Sequence, residues 1–148
     1  MGAVHRLAKH TDANGLYEVR RRSIIGLAPP EMSVAEAQAW AAQLTRAEME
    51  RKLRELEVWV AELDGIVAGW GAIRADYLEG LYTAPEFAGR GVGAGLLEML
   101  ERLMRARGIR AVRAQASSNA REFYLRRGYR ANGPQTPKGA WPIAKELA

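Results

Sequence analysis

The sequence has no cysteine and only two histidines, His5 and His10, both near its beginning. Without cysteine there is no disulfide, no thiolate nucleophile and no cysteine metal site. Two imidazoles do not make a ligand cluster, so we predict no bound metal. Long apolar runs are also missing: no stretch is typical of a membrane span or of the hydrophobic region of a signal peptide. We therefore expect a cytoplasmic protein with no membrane partner.

The length and composition indicate one ordinary domain over residues 1–148. Hydrophobic residues make up 48% and charged residues 26% of the 148 residues, which is enough to bury a core. The formal net charge is +5, which favours an anionic ligand and raises nucleic acid as an alternative. The basic clusters, such as residues 20–22, lack interleaved exposed aromatics on one element, so nucleic acid is disfavoured.

A glycine-rich stretch, residues 85–96, organises the chain. Residues 78–83 before it are typical of a short strand, and apolar residues from Val92 to Met104 follow at helical spacing, up to Gly108. A strand, a glycine loop and a helix in this order can bind a phosphate group through backbone N–H groups and the helix dipole. A tight turn with no ligand is the alternative interpretation.

Two known nucleotide-binding motifs are missing from this stretch. The phosphate loop of nucleotide hydrolases needs Gly-Lys-Ser/Thr, which does not occur here. The dinucleotide fingerprint needs an acidic residue about 20 residues after the loop, and residues 110–114 contain none. Neither of these two motifs therefore explains the glycine loop.

Residues 88–93, Ala-Gly-Arg-Gly-Val-Gly, resemble motif A of the GNAT superfamily of N-acetyltransferases, Gln/Arg-x-x-Gly-x-Gly/Ala. Ala88 replaces the leading basic or amide residue, a departure that affects one side-chain contact and leaves the backbone cradle intact. Residues 119–129 look like the family's N-x-x-A/R-x-x-F-Y-x-x-x-G-F/Y segment. The likeness covers most of the chain from Val58 onward.

The fold expected from the chain is α/β (α+β), with element order βααβββαβαββ and a third helical segment near residues 46–56. Asp64-Gly65 between two apolar strands predicts a tight hairpin. The GNAT-like arrangement has a mixed, mostly antiparallel sheet of about seven strands with helices on both faces. Its one central parallel pair, strands 4 and 5, splays apart, and a cofactor enters that gap.

The resemblance implies an acetyl-CoA-dependent N-acetyltransferase that moves an acetyl group to a primary amine by direct attack in a ternary complex. The acceptor would be a small-molecule or exposed peptide amine, and a homodimer is left open. A non-catalytic acyl-CoA-binding module is the alternative. The expected coenzyme A contacts are the backbone beside the pantetheine arm, the phosphate loop, and the segment after the fifth strand: Leu81, Tyr82, Thr83, Ala88, Gly89, Arg90, Gly91, Val92, Gly93, Ala94, Asn119, Phe123 and Tyr124.

Two residues are expected to move protons. Tyr124 matches the family tyrosine that often protonates the coenzyme A thiolate, although it could only pack against the cofactor. Glu79, on the strand before the loop, is expected to act as base through water, with Asp76 as second choice. Simple alternation would place Glu79 on the face of Leu81. Glu79 could instead be an exposed carboxylate that attracts a cationic acceptor.

The resemblance implies that the region between the first and second strands covers the acceptor pocket, and this region is the most variable part of GNAT-like folds. We expect the pocket wall to come from the first helices and the central strands. The proposed wall residues are apolar or aromatic, and the nearest charges in sequence are Asp76 and Glu79, with no clear basic partner. We therefore expect an amine with an apolar body rather than a strongly anionic acceptor. Trp40 could equally be core. The wall residues are Tyr17, Met32, Trp40, Trp70 and Tyr77.

Overall fold

The computed structural model describes residues 2–147. The first strand is followed by three helices: β1 Val4–Leu7, α1 Ala13–Gly26, α2 Val34–Ala41 and α3 Arg46–Glu55. Three strands then lead into the long helix: β2 Glu57–Leu63, β3 Ile66–Arg74, β4 Tyr77–Thr83 and α4 Val92–Ala106. The remaining elements are β5 Ala111–Ala116, α5 Arg121–Leu125, β6 Arg130–Ala131 and β7 Trp141–Glu146.

Side-chain caps separate the second and third helices. At the start of α2 the Ser33 hydroxyl accepts from the Glu36 amide, and the Glu36 carboxylate accepts from the Ser33 amide, which is a capping box. The Thr45 hydroxyl accepts from the Glu48 amide at the start of α3. The predicted break between these two helical segments is confirmed.

The seven strands form one sheet in the order β1-β2-β3-β4-β5-β7-β6. Every neighbouring pair is antiparallel except β4 and β5, which are parallel. These two strands pair only at Tyr77 with Arg113 and at Leu78 with Ala114, and they separate beyond that point. The predicted fold class, including the splay between strands 4 and 5, is confirmed.

Helices cover both faces of the sheet beside this gap. Trp70 of β3 faces α1, because its indole N–H donates to the Leu16 carbonyl at 2.9 Å. The opposite face of β3 lies under α4, where a Cβ built on Gly71 would lie 2.9 Å from Leu100. Glycine at this position therefore lets α4 pack closely on the sheet.

Helix α5 is short, and its regular part covers only Arg121–Leu125. Gly128 has φ +93, and the Tyr129 amide donates to the Tyr124 carbonyl, which is the closing bond of a Schellman-type end. Within residues 2–147, no helix is both long and apolar enough to span a bilayer.

Candidate functional site

The glycine loop enters α4 through two residues with left-handed backbone conformation. Gly89 has φ +76 and Gly91, directly before α4, has φ +79. Residues with a side chain rarely adopt these backbone angles, which explains glycine at both positions. A Cβ built at either position would meet no atom within 4 Å. A side chain at either position would therefore extend into open space.

Four successive backbone amides at the start of α4 lack a partner. The N–H groups of residues 91–94 donate no hydrogen bond to any oxygen of the described chain, and Gly95 is the first to bond back, to the Gly91 carbonyl at 2.9 Å. The amides of Ala88 and Arg90 are already used, since they donate to Pro85 and Phe87. Free donors at the N-terminus of a 15-residue helix can bind an anion.

Strand β4 and helix α5 both approach the first turn of α4. A Cβ built on Gly93 would lie 3.3 Å from Thr83 Oγ1 at the end of β4 and 3.6 Å from Phe123 Cζ of α5. The Arg127 guanidinium lies 3.9 Å from the Phe123 ring centroid and donates to the Phe123 carbonyl. The structure thus brings together Thr83, Gly93 and Phe123, three residues expected to contact one ligand.

Tyr124 has a buried ring and a hydroxyl without a partner. The ring packs edge to face on Phe123 and Tyr129, and the residue is 7% exposed. Its hydroxyl makes no hydrogen bond within residues 2–147, although every fully enclosed side-chain nitrogen or oxygen there has one. The Tyr124 oxygen is therefore not fully enclosed. Burial, assisted by Tyr82, raises the pKa of this phenol well above its ordinary value.

A buried network of hydrogen bonds anchors Tyr129, the residue on which the Tyr124 ring packs. The Tyr129 hydroxyl donates to Glu101 Oε2 at 2.7 Å, and Lys145 Nζ donates to Glu101 Oε1 at 2.8 Å. Glu101 is 5% exposed on α4. The sequence analysis did not select Glu101, although its place among Leu97, Leu100 and Met104 at helical spacing was a usable signal.

The side chain of Tyr82 packs beside Trp70 on the face of the sheet that α1 covers. Its ring centroid is 4.9 Å from that of Trp70 and 5.6 Å from the Arg20 guanidinium carbon. A Cβ on Gly80 would lie 2.9 Å from Tyr82 Cε2, so the ring covers Gly80. Trp70 is 1% exposed, so its expected place on an open pocket wall is corrected: it is a core residue that backs Tyr82.

Asn119 connects two sides of the site. Its side-chain amide nitrogen donates to the Leu27 carbonyl just after α1 at 3.1 Å, and Ser117 Oγ donates to its oxygen at 2.6 Å. Asn119 is exposed. The residue predicted to contact a pantetheine arm therefore lies between the end of β5 and the end of α1.

Glu79 lies at a β-bulge where β4 leaves β5. Ala72 pairs with Gly80 and Ile73 with Leu78, so Glu79 has no partner of its own on β3. The expected alternation does not hold across this bulge: Leu78 and Leu81 both pack in the core, whereas the Glu79 carboxylate accepts from Arg74 at 3.0 Å. The extra residue of a bulge changes the direction in which a side chain points, and here that side chain is the Glu79 carboxylate.

An open cavity of about 510 Å³ surrounds this bulge. It contains two ion pairs, Arg74 with Glu79 and Arg113 with Asp76, the second joined by two bonds of 2.9 and 3.0 Å. The expectation that no basic partner stands near these acids is wrong, because two arginines neutralise them. The lining residues are Arg74, Ala75, Asp76, Tyr77, Glu79 and Arg113.

The charges around the cavity shift the ionisation of its neighbours. Hydrogen bonds from Arg113 lower the pKa of the Asp76 carboxyl. Burial, together with the Glu79 charge, raises the pKa of the Tyr77 phenol. The Arg113 guanidinium also lies 5.4 Å from the Tyr77 ring centroid. Asp76 is thus a weaker base than an ordinary aspartate.

The other proposed wall residues do not line this cavity. Tyr17 packs beside the core, with the Arg46 guanidinium carbon 5.3 Å from its ring centroid. Met32 and Trp40 are half-buried on the segment that contains α2. The structure brings Asp76, Tyr77 and Glu79 together, and it places the three residues from the first helices elsewhere.

Comparisons with known proteins agree on one fold. A family model described as an acetyltransferase (GNAT) domain matches residues 28–141. The Escherichia coli K12 protein named uncharacterized N-acetyltransferase YafP is 28% identical over 122 residues, which are 81% of this chain and 77% of that protein. A GCN5-related N-acetyltransferase from Rhodopseudomonas palustris has a TM-score of 0.89 and 28% identity, over 99% of this chain and 96% of that one.

A more distant solved structure has a ligand. The PaiA N-acetyltransferase from Thermoplasma acidophilum, solved in complex with coenzyme A, has a TM-score of 0.83 and 21% identity. The match covers 99% of both chains. This neighbour therefore has the same fold over nearly the whole chain.

Proposed function

Because the chain belongs to the acetyltransferase (GNAT) family, we propose that it transfers an acetyl group from acetyl-CoA to a primary amine. The row of four unpaired amides at the start of α4, beside the open space of Gly89 and Gly91, carries the proposal. An anion site of this kind suits a pyrophosphate without any lysine. The T. acidophilum relative, which has the same fold, was solved with coenzyme A.

The gap between β4 and β5 offers room for the rest of the cofactor. Leu81 and Thr83 pair with Gly71 and Gly69 of β3, and the other edge of β4 is unpaired beyond Leu78. An unpaired strand edge can bond to the amides of an extended ligand. The pantetheine arm of coenzyme A has two amides, so residues 81–83 would hold it in β-like fashion.

Acetyl-CoA supplies a thioester: as a neutral amine attacks its carbonyl, a C–N bond forms, the C–S bond breaks, the amine nitrogen loses a proton and the sulfur gains one. Tyr124 is suited to give that proton, because its hydroxyl carries a proton at neutral pH and has no competing partner among the described residues. With no cysteine in the chain, direct transfer is favoured over a cysteine acyl-enzyme.

Glu79 is the better of the two candidate bases. It lies at the bulge where the gap begins, and its carboxylate accepts a single hydrogen bond, from the exposed Arg74. Asp76 is bound twice by Arg113, which lowers its pKa and weakens it as a base. Glu79 would accept the amine proton, directly or through a water molecule.

The test is free coenzyme A release from acetyl-CoA with a panel of amines, alongside calorimetric titration with acetyl-CoA. We expect binding, and release that depends on an amine and exceeds hydrolysis without one. Binding with no amine-dependent release would instead indicate a non-catalytic acyl-CoA-binding module. No binding at millimolar acetyl-CoA would contradict both interpretations.

A further inference from the structure

The cavity at the bulge lies on the face of the sheet opposite α4. Arg113 stands in β5 between Val112 and Ala114, which are buried with α4 residues in one core cluster. Successive side chains of a strand point to opposite faces, so Arg113 faces away from α4. The cavity therefore opens on the face of the sheet opposite α4, at the point where β4 and β5 begin to diverge.

The two carboxylates and the two guanidinium groups of this cavity form two ion pairs. Arg74 bonds Glu79 at 3.0 Å and Arg113 bonds Asp76 at 2.9 Å. The arginine side chains are 66% and 53% exposed, so water reaches both pairs. Ion pairs this exposed contribute little to stability, and a ligand can replace them readily.

The turn that carries these groups is held in an uncommon conformation. Ala75 has φ +53, a left-handed angle that is unfavourable for alanine. The Arg113 amide donates to the Asp76 carbonyl at 2.9 Å, in addition to the two side-chain bonds, so the turn is fastened to β5. Ala75 is the first residue of the two-residue turn between β3 and β4, and these bonds hold Asp76 of that turn beside Arg113.

A ligand with one charge cannot satisfy these four groups. A simple amine that bonds Glu79 or Asp76 leaves an arginine without its partner. A ligand that has both an ammonium and a carboxylate pairs with both signs, and the planar guanidinium of Arg113 can bind a carboxylate through two parallel bonds. The Tyr77 ring beside Arg113 offers an apolar surface for the body of the same ligand.

We infer that this cavity binds the acceptor and that the acceptor is an amino acid, recognised through its carboxylate by Arg113 and Arg74 and through its amine by Glu79 and Asp76. This inference rests on the proposed function, since it names the substrate class of the same site. It replaces the sequence-based expectation of a non-anionic amine, because that expectation assumed acids without basic partners.

The test compares L-phenylalanine with L-phenylalaninamide and 2-phenylethylamine, and L-leucine with its amide and 3-methylbutylamine. Within each set only the carboxylate changes. Binding to the protein in the presence of coenzyme A is measured by saturation-transfer NMR and calorimetry, and turnover by coenzyme A release. In at least one set we expect the amino acid to bind tenfold or more tightly than its two analogues. Arg113→Gln should remove this preference, and the exposed Arg110→Gln should retain it.

The binding measurement separates this inference from the proposed function. Tighter binding of an amino acid that depends on Arg113 supports the inference even if no coenzyme A is released. Equal or tighter binding of the amide and the amine in both sets overturns it, as does a preference that survives in Arg113→Gln. Absence of binding by every compound also overturns it, whereas acetyl-CoA titration reports on the proposed function by itself.

Discussion

The rings of Tyr124 and Tyr129 meet edge to face, with centroids 5.3 Å apart and planes at 71°. Tyr129 is itself anchored, because its hydroxyl donates to the buried carboxylate of Glu101. Tyr124 therefore has a ring fixed by packing and a hydroxyl free of protein partners in the described chain. A group that must deliver a proton to a bound thiolate needs this combination of a fixed position and an available hydrogen.

Tyr124→Phe should keep the ring and lose the proton donor. We expect kcat to fall about 100-fold or more while the dissociation constant for acetyl-CoA stays within about twofold, because general acid catalysis contributes roughly 10²–10⁴-fold. Steady-state kinetics and calorimetry measure the two quantities. Unchanged turnover in Tyr124→Phe would leave Tyr124 with a packing role only.

The raised pKa of Tyr124 also predicts the form of the pH–rate profile. A tyrosine usually ionises at about 10. Because burial disfavours the charged phenolate, the folded protein keeps Tyr124 protonated beyond that pH. The rate should therefore rise with pH as more of the amine becomes neutral, with no decline near pH 10 from loss of the acid. Such a decline, absent in Tyr124→Phe, would contradict the raised pKa.

Gly91→Ala should separate backbone strain from ligand contact. The new Cβ would enter the open space beside the four unpaired amides, so we expect acetyl-CoA affinity to fall tenfold or more. Gly65→Ala is the matched control, because Gly65 has φ +76 and the same empty surroundings but lies in the β2–β3 turn. Both variants should lose about 1 kcal/mol of unfolding free energy, since both force alanine into the left-handed region.

Calorimetric titration measures the acetyl-CoA affinity of the two variants, and urea unfolding measures their free energy of unfolding. Equal loss of affinity in Gly91→Ala and Gly65→Ala would mean that strain alone weakens binding. Unchanged affinity in Gly91→Ala would remove the loop from the phosphate site.

The sequence was sufficient for features that depend on local chemistry. The Asp64-Gly65 hairpin, the separate third helix near residues 46–56 and the helix after Gly91 are all present, because each depends on a few adjacent residues. The bulge at Glu79 was not predictable, since it exists only relative to the register of β3. The partner of Asp76 was missed for a similar reason: Arg113 is distant in sequence and approaches only through the parallel pairing of β4 and β5.

Lys145→Met should expose the cost of the buried Glu101 charge. Glu101 would keep its bond from Tyr129 but lose its cation, and breaking a buried pair costs roughly 3–5 kcal/mol. Because Lys145 is partly exposed, we expect the lower end, about 3 kcal/mol, in urea unfolding. Lys138→Met, on an exposed loop, is the control and should change stability by less than about 0.5 kcal/mol.

A second substitution tests the cause of that loss. Glu101→Gln in the Lys145→Met background removes the buried charge, and the amide oxygen can still accept from the Tyr129 hydroxyl. We expect the double variant to regain at least half of the lost stability. If it is no more stable than Lys145→Met, packing of the lysine stem rather than charge pairing explains the effect.

Glu79→Gln distinguishes the two roles that the bulge carboxylate can have. If Glu79 removes the amine proton, kcat should fall about 100-fold and the acidic limb of the pH–rate profile should change, because the glutamine amide cannot accept a proton. If Glu79 only attracts the ammonium group, the KM for the acceptor should rise while kcat stays near that of the original enzyme.

Asp76→Asn should raise the KM for the acceptor and leave kcat nearly unchanged, since Arg113 holds Asp76 as a weak base. Glu50→Gln, an exposed change on α3, controls for the loss of one negative charge. A normal pH–rate profile and a normal kcat in Glu79→Gln would remove Glu79 as the base and leave the proton to water.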